Sequence, residues 1–171
     1  MQKILIVDDE KLARSDILYK VSRSGFQFEW IMEASSTEES LEIIRENPPD
    51  ILLTDIVMAG ESGINLIRKA NKICPRMVSI IICGYADFSF AQEAISLNVV
   101  AYLLKPVRET ELSEALSKAI VETLRRKNML HLTIRNDILE EKISSKTLQE
   151  NLYSFLNGAK VKPDFSVAPL F

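Results

Sequence analysis

Three aspartates, each at the end of a short apolar run, are the residues of this chain best placed to do chemistry. Asp8 and Asp9 follow the apolar run 4–7, and Asp55 follows the run 51–54. Carboxylates that crowd together raise one another's pKa unless a cation joins them. A set of hard oxygen ligands suits Mg²⁺ or Mn²⁺ far better than zinc. If these side chains converge, they predict a metal-assisted phosphoryl site with a carboxylate as the acceptor.

Short apolar runs predict the strands that would bring the aspartates together. Runs of aliphatic and β-branched residues bounded by polar turns are typical of buried parallel strands. They cover residues 4–7, 28–34, 51–54, 78–82 and 99–104. In an open α/β sheet, ligands collect at the carboxyl ends of the strands. Cys83 and Lys105, which follow the fourth and fifth runs, are therefore expected at the same edge as the aspartates.

Helical patterns lie between these runs, because apolar residues recur there at the spacing of one helix face. Before Leu41, Ser35 and Ser36 precede Glu38 and Glu39 at capping-box spacing, which marks the start of one helix. Five strand–helix units in about 125 residues predict one doubly wound α/β domain with helices on both faces of the sheet.

The polar residues at these strand ends resemble those of the receiver domain of two-component response regulators. The matching pieces are the acid pair 8–9, Asp55, Gly-Tyr-Ala-Asp-Phe at 84–88 and Tyr-Leu-Leu-Lys-Pro at 102–106. The resemblance covers residues 1 to about 125 and implies a flavodoxin-like parallel sheet in the order 2-1-3-4-5. The string 84–91 is also similar to the YesN branch, whose members usually carry an AraC-type DNA-binding domain. A transcription regulator is thereby implied, with its output domain absent from this chain.

The resemblance implies a role for each polar residue of the site. Asp55 would be the phosphoacceptor, and a sensor histidine kinase would be the phosphoryl donor. Asp8 and Asp9 would hold Mg²⁺ together with Asp55 and the backbone carbonyl of Val57. Lys105 would pair with the phosphoryl oxygens. General chemistry agrees, because a carboxylate nucleophile forms an acyl phosphate and cations neutralise the transferred group.

Two further positions would carry the switch. Tyr102 matches the aromatic residue that turns inward in phosphorylated receivers. Cys83 stands where receivers usually have Ser or Thr, whose hydroxyl bonds the phosphoryl group. A thiol is a weak hydrogen-bond donor, so we expect weaker coupling between phosphorylation and Tyr102. A redox role for Cys83 is the alternative, since Lys105 could lower the pKa of the thiol while the carboxylates act in the opposite direction.

Each assignment has a plainer alternative. Asp8 or Asp9 could cap a helix that begins near Glu10, since Asp is a favoured N-cap residue. Tyr102 could simply pack in the core, as aromatic residues on strands usually do. Lys105 could be a solvated side chain. The joint placement of the aspartates and the lysine at strand ends favours a common site.

A second class of function would use the same acceptor aspartate. A phosphohydrolase resembling the haloacid dehalogenase group would need another aspartate two residues after Asp55 as general acid. Val57 occupies that place. A dinucleotide site is not indicated either, because no Gly-x-Gly-x-x-Gly follows the first run. His131, the one histidine, is expected to be an exposed surface residue rather than a relay group.

Two loop positions depart from the receiver pattern. Ala59 stands where the family usually has Pro, and Asn98 stands where it usually has Gly. Asn tolerates the left-handed conformation of a helix C′ position, so Asn98 should keep the turn. Ala59 lacks the fixed φ of proline, so Ala59→Pro is expected to stabilise the protein by roughly 0.4 to 1 kcal/mol if the backbone is compatible.

Composition limits the partners of the protein. The net charge of −3 at pH 7 is no electrostatic footprint for nucleic acid, and the basic cluster 125–127 is expected to be a solvated helix end. No apolar run is long enough to span a bilayer, and residues 1–3 lead straight into a strand. We therefore expect no membrane contact and a cytoplasmic protein. Cys74 and Cys83 lack metal or redox spacing, so no structural disulfide is expected.

The tail carries a pattern of its own. Residues 107–157 contain neither Gly nor Pro, so the last receiver helix is expected to run to about residue 126 and to be followed by amphipathic helices. We predict a receiver domain over residues 1–125 and, over 126–171, a helical linker with the start of a truncated downstream region. An apolar stripe without its own core needs a partner. It could fold back, form a homodimer together with the last receiver helices, or dock on the absent domain.

Overall fold

The computed structural model of the chain describes residues 1–84 and 88–129 and the single position 146. The chain divides into two compact units, residues 1–127 and residues 128–171. Nearly all described residues belong to the first unit. His131 and the predicted tail helices beyond residue 129 lie outside the described residues, as do residues 85–87 of the string 84–88.

Strands and helices alternate along the first unit. They are β1 (Gln2–Val7), α1 (Lys11–Arg23), β2 (Phe28–Ala34), α2 (Thr37–Glu46), β3 (Ile51–Asp55), α3 (Gly63–Ile73), β4 (Val78–Cys83), α4 (Phe88–Ser96) and β5 (Ala101–Leu104). A last helix, α5, occupies residues 109–129. Within the described ranges, no helix is long and apolar enough to cross a membrane.

The strands form one parallel sheet in the order β2-β1-β3-β4-β5, which confirms the predicted order. β1 and β3 pair in register from Ile4 opposite Ile51 to Val7 opposite Thr54. Val7 is followed by Asp8 and Thr54 by Asp55, which are two of the predicted site aspartates. This register therefore places Asp8 beside Asp55 at the carboxyl edge of the sheet.

The core consists of two apolar layers, one on each face of the sheet. Alternate residues of each strand point to opposite faces, so Leu5 and Leu52 pack in the layer covered by α2, α3 and α4. Ile4 and Leu53 pack in the layer covered by α1 and α5. Because β1, β3 and β4 are buried on both faces, their sequences are nearly continuous apolar runs.

The turn from α4 to β5 is formed by Asn98, whose φ is 55°. The amide of Asn98 donates to the carbonyl of Ile95 at 3.1 Å, and the amide of Val99 donates to the carbonyl of Ala94 at 3.1 Å. This is a Schellman motif with Asn at C′, which confirms the predicted turn. Because the motif includes Val99, the prediction that β5 starts at residue 99 is wrong, and the strand begins at Ala101.

α2 begins with the side-chain cap that the sequence indicates. Ser36 is the N-cap, and its hydroxyl accepts from the amide of Glu39 at 3.2 Å. The Glu39 carboxylate reaches back to the amide of Ser35 at 2.7 Å rather than to that of Ser36. These bonds from the Ser35 amide and hydroxyl lower the pKa of Glu39. The predicted helix start is confirmed, with the reciprocal bond moved by one residue.

The basic cluster at the end of α5 is not the solvated helix end that we predicted. The guanidinium of Arg126 donates to the carbonyl of Met77 at 2.6 Å. The ammonium of Lys127 pairs with the carboxylate of Asp50 at 2.7 Å. Asp50 and Met77 directly precede β3 and β4. These contacts therefore fasten α5 to the amino edge of the sheet, opposite the aspartates.

Candidate functional site

The ammonium of Lys105 lies between two carboxylates at the carboxyl edge of the sheet. Its Nζ donates to Asp8 Oδ2 at 2.8 Å and to Asp55 Oδ2 at 2.6 Å. Asp8 and Asp55 are 3% and 6% exposed, so both acidic groups are largely removed from water. Burial of Lys105 lowers its pKa, but the hydrogen bonds to Asp55 and Asp8 outweigh burial and raise the pKa above its ordinary value. The structure therefore brings Asp8, Asp55 and Lys105 together at the predicted edge of the sheet.

Asp8 is held by contacts from the end of β2 and from the start of α1. Its amide donates to the carbonyl of Ala34 at the end of β2, at 3.2 Å. Its Oδ1 accepts from the amide of Glu10 at 2.9 Å, and Glu10 rather than either aspartate is the N-cap residue of α1. Its carbonyl accepts from Nη1 of Arg14 at 2.6 Å, while Nε of Arg14 bonds Glu33 at 3.0 Å. These bonds hold the backbone and one carboxylate oxygen of Asp8, while the other oxygen accepts from Lys105.

The residues Arg14 and Glu33 were missed by reasoning from the sequence. Arg14 lies on α1, and Glu33 lies one residue before the end of β2. A charged residue near the start of a helix carries no signal of which carbonyl it will reach. The contact becomes evident only once the β2 and β1 ends are placed side by side.

The backbone of Asp55 is in close contact with Gly63, the first residue of α3. A Cβ added to Gly63 would lie 1.9 Å from the carbonyl oxygen of Asp55 and 2.8 Å from Oγ1 of Thr54. The amide of Gly63 donates to the carbonyl of Ile56 at 2.9 Å, which closes the loop after β3. The chain therefore needs glycine at this position to bring α3 against the end of β3.

The sequence predicted that Asp9 would lie with the carboxylates of Asp8 and Asp55. In the structure, Asp9 lies apart from them. It is exposed, and its Oδ2 accepts from the amide of Ala59 at 2.7 Å. Among the described residues, no three carboxylate, thiol or imidazole groups stand together as a ready metal site. The physical reason is that Lys105 satisfies Asp8 and Asp55, while a loop amide satisfies Asp9.

The donor set nevertheless fits a divalent cation. Asp8 and Asp55 already share one positive charge, the ammonium of Lys105, which stands in for a cation between two carboxylates. The carboxylates of Asp8, Asp9 and Asp55 supply hard oxygen ligands, as Mg²⁺ requires. Asp9 would complete the set by turning from Ala59. Val57, whose carbonyl was the predicted backbone ligand, is 49% exposed and lies next to the site.

The structure also bears on the expected effect of Ala59→Pro. The predicted gain in stability requires a backbone amide without a partner. The Ala59 amide has a partner, since it donates to Asp9. Proline would remove this donor, so the condition for the predicted stabilisation is not met.

Cys83 and Tyr102 lie on one face of the sheet. Cys83 is completely buried at the end of β4, and Tyr102 is half-buried against the same apolar layer, under α2, α3 and α4. The carbonyl of Cys83 accepts from the amide of Lys105 at 2.8 Å. Cys83 therefore lies at a strand end bonded to Lys105, and its thiol is shielded from solvent, which counts against direct access of an oxidant.

Two buried aspartates and a lysine meet at the carboxyl edge of a parallel sheet whose strand order is 2-1-3-4-5, which is the arrangement that the resemblance to receiver domains implies. The sequence model of the response regulator receiver domain matches residues 4–117. The chain belongs to this family.

Relatives and solved structures agree with this membership. The transcriptional regulatory protein YesN of Bacillus subtilis is 32% identical over 125 residues, which cover 73% of this chain and 34% of the relative. The transcriptional regulatory protein LytR of Staphylococcus aureus is 36% identical over 116 residues, which cover 68% of this chain and 46% of the relative.

The crystal structure of a two component transcriptional regulator AraC from Clostridium phytofermentans is similar in fold, with a TM-score of 0.69 and 31% identity. The similarity covers 74% of this chain and 98% of that one. The receiver domain protein of Clostridium thermocellum, at 35% identity, has a TM-score of 0.65 and covers 76% of this chain and 99% of its own. The present chain spans about a third to a half of the length of the curated relatives that it matches.

Proposed function

We propose that this chain is a phosphorylation-dependent switch in which Asp55 accepts a phosphoryl group from a sensor histidine kinase. The observation that carries the proposal is the ammonium of Lys105 between Asp8 and Asp55, at 2.8 Å and 2.6 Å. A carboxylate with a neighbouring cation is a suitable phosphoryl acceptor, because the cation offsets the charge of the incoming group. Asp55 ends β3, where the register with β1 brings it beside the acid pair.

The transfer is a displacement at phosphorus. A carboxylate oxygen of Asp55 attacks the phosphorus of the donor phosphohistidine and forms a P–O bond. The P–N bond breaks, and its electron pair returns to the imidazole nitrogen, which then takes up a proton. The product is an acyl phosphate on Asp55. Lys105 would then exchange its bond with Asp55 for bonds to phosphoryl oxygens.

The reaction is proposed to need Mg²⁺, held by Asp8, Asp9, Asp55 and the carbonyl of Val57. When bound, the ion neutralises charge on the phosphoryl group during transfer. Three carboxylates without added positive charge would oppose an incoming phosphoryl group. The acid pair therefore contributes a cation site, and the lysine contributes a fixed positive charge.

The proposed readout of phosphorylation passes through Cys83 and Tyr102. Both pack against the layer under α2, α3 and α4. The amide of Lys105 is bonded to the carbonyl of Cys83, which supports a link between the site and the end of β4. Because a thiol donates weakly, phosphorylation would draw this strand end inward less strongly than a hydroxyl would.

The output is proposed to be transcription, through a DNA-binding domain outside this chain. The names of the relatives YesN and LytR support this, since both are transcriptional regulatory proteins. The net charge of −3 is no electrostatic footprint for nucleic acid, which favours a separate DNA-binding domain. A homodimer through the last receiver helices or the tail, and a cytoplasmic location, complete the proposal.

The test is to incubate the protein with a small acyl phosphate donor and Mg²⁺ and to count phosphoryl groups per chain by intact mass. We expect one stoichiometric group, and no uptake when Mg²⁺ is chelated. Continuous release of phosphate, with many turnovers per chain, would instead indicate a phosphohydrolase.

Matched substitutions sharpen this experiment. Asp55→Asn should take up no phosphoryl group. Glu46→Gln removes an exposed carboxylate at the end of α2, toward the amino edge of the sheet and away from the aspartates, and should keep full uptake. Full uptake by Asp55→Asn would overturn the proposed acceptor.

A further inference from the structure

The carboxylate of Asp9 has a partner outside the acidic site. Its Oδ2 accepts from the backbone amide of Ala59 at 2.7 Å, across 50 positions of sequence. This distance is short for an N–H donor, as expected for a bond to an ionised acceptor. The bond joins the loop after β1 to the loop after β3.

This bond has an electrostatic consequence for the site. Asp8 and Asp55 share the ammonium of Lys105, and Asp9 is directed to the loop amide instead. Within the described part of the chain, the carboxylates do not form a three-ligand group. Asp9 therefore has to turn away from Ala59 before it can contribute to a cation site.

We propose that the backbone amide of Ala59 is a latch that competes with a divalent cation for the carboxylate of Asp9. The inference rests on the proposed function, in which Asp9 is a cation ligand. In the latched form, the hydrogen bond satisfies Asp9 and the apparent affinity for the cation is reduced. Cation binding breaks the latch and releases the Ala59 amide, so that the loop after β3 responds to the metal.

The packing of the loop limits how far this response extends. Met58 is 8% exposed and packs in the core, and Gly63 is bonded to the carbonyl of Ile56 at 2.9 Å. Glu61 is paired with Lys69 of α3 at 2.7 Å. Both ends of the loop are thus anchored. We expect the change to be local, at Ala59 and the neighbouring backbone.

The test removes the donor and retains the carboxylate. Proline has no N–H, so Ala59→Pro abolishes the latch, whereas Ala59→Val keeps the amide and serves as the matched control. A hydrogen bond contributes a net 0.5 to 1.5 kcal/mol, so Ala59→Pro should bind Mg²⁺ about 2- to 12-fold more tightly than wild type in a calorimetric titration. Ala59→Val should bind like wild type.

A second measurement tests the latch in the unmodified chain. Exchange of the Ala59 amide hydrogen, followed by NMR, should be slow without Mg²⁺ and faster when Mg²⁺ is bound. This arm also decides the question if Ala59→Pro fails to fold.

The outcomes separate the latch from the proposed function. Equal Mg²⁺ affinity in wild type and Ala59→Pro, or an Ala59 amide whose exchange does not respond to Mg²⁺, would overturn the latch while leaving the acceptor role intact. No Mg²⁺ binding by either protein, together with no phosphoryl uptake, would overturn the proposed function.

Discussion

At the scale of single residues, Lys105 determines the electrostatics of the site. Asp8 and Asp55 are both largely buried, and their carboxylates meet on the lysine ammonium. Two buried carboxylates without a cation would repel each other, so the lysine holds the site together when no other cation is bound.

The pH dependence of stability should show this role of Lys105. Burial lowers the pKa of Lys105, but the hydrogen bonds to Asp55 and Asp8 and the negative charges of these residues together raise it above the ordinary 10.5. A pKa raised on folding stabilises the protein fully below the unfolded pKa, and the contribution is lost as pH rises through the folded pKa. The free energy of unfolding should therefore be higher for wild type than for Lys105→Gln at neutral pH.

This difference should shrink as the pH rises above about 10.5. Urea unfolding of both proteins, followed by fluorescence over a series of pH values, measures it. A difference that stays constant or grows at alkaline pH would contradict the assigned role of the lysine.

Gly63 offers a second test at this scale. In Gly63→Ala, the new Cβ would clash with the carbonyl of Asp55, 1.9 Å away, and the backbone would have to shift. We expect a loss of about 1 to 3 kcal/mol in the free energy of unfolding, typical of overpacking, together with slower phosphoryl uptake. Gly84→Ala is the control, because its added Cβ would meet no atom within 4 Å in the described part of the chain beyond its own neighbours. Equal effects of the two substitutions would argue against the close approach.

Part of the site could be predicted from residue types alone. The meeting of Asp8, Asp55 and Lys105 could be predicted because parallel strands bring their carboxyl ends to one edge of the sheet. The orientation of Asp9 was not, because it depends on a loop amide 50 positions away. The contact of Arg14 with the carbonyl of Asp8 was equally hidden, since the sequence shows a charge but not its partner.

At the scale of the elements, the helix ends account for the differences from prediction. The strand cores were found because burial on both faces makes them apolar, whereas their limits depend on local backbone bonds. β5 begins at Ala101 because Asn98 and Val99 are part of the motif that ends α4. The pairing of Lys127 with Asp50 was missed because charges at a helix end are usually solvated.

The turn at Asn98 can be tested by substitution. At φ 55°, Asn is tolerated because its short polar side chain can hydrogen-bond locally, whereas Ala has no such compensation, so we expect Asn98→Ala to lose about 1 kcal/mol in the free energy of unfolding. Asn98→Gly should be at least as stable as wild type. Chemical denaturation of the three proteins provides the comparison. A similar loss in both variants would show that the Asn side chain, rather than the backbone conformation, stabilises the turn.

At the scale of the whole molecule, the two ends of the strands carry different sets of polar contacts. The carboxyl edge holds the aspartates and Lys105, and the amino edge holds the pairs that fasten α5. The order of the sheet followed from the resemblance to receivers together with the alternation of strands and helices. The receiver boundary at residue 125 and the role of residues 126–171 remain predictions.

The most direct test of the central claim is to locate the phosphoryl group on the chain. The protein would be treated with a small acyl phosphate and Mg²⁺, the acyl phosphate trapped by borohydride reduction, and the reduced residue mapped by peptide mass spectrometry. We predict that the label lies on Asp55 and disappears when Mg²⁺ is chelated. A label on Asp8 or Asp9, or on a residue away from the carboxyl edge of the sheet, would contradict the account.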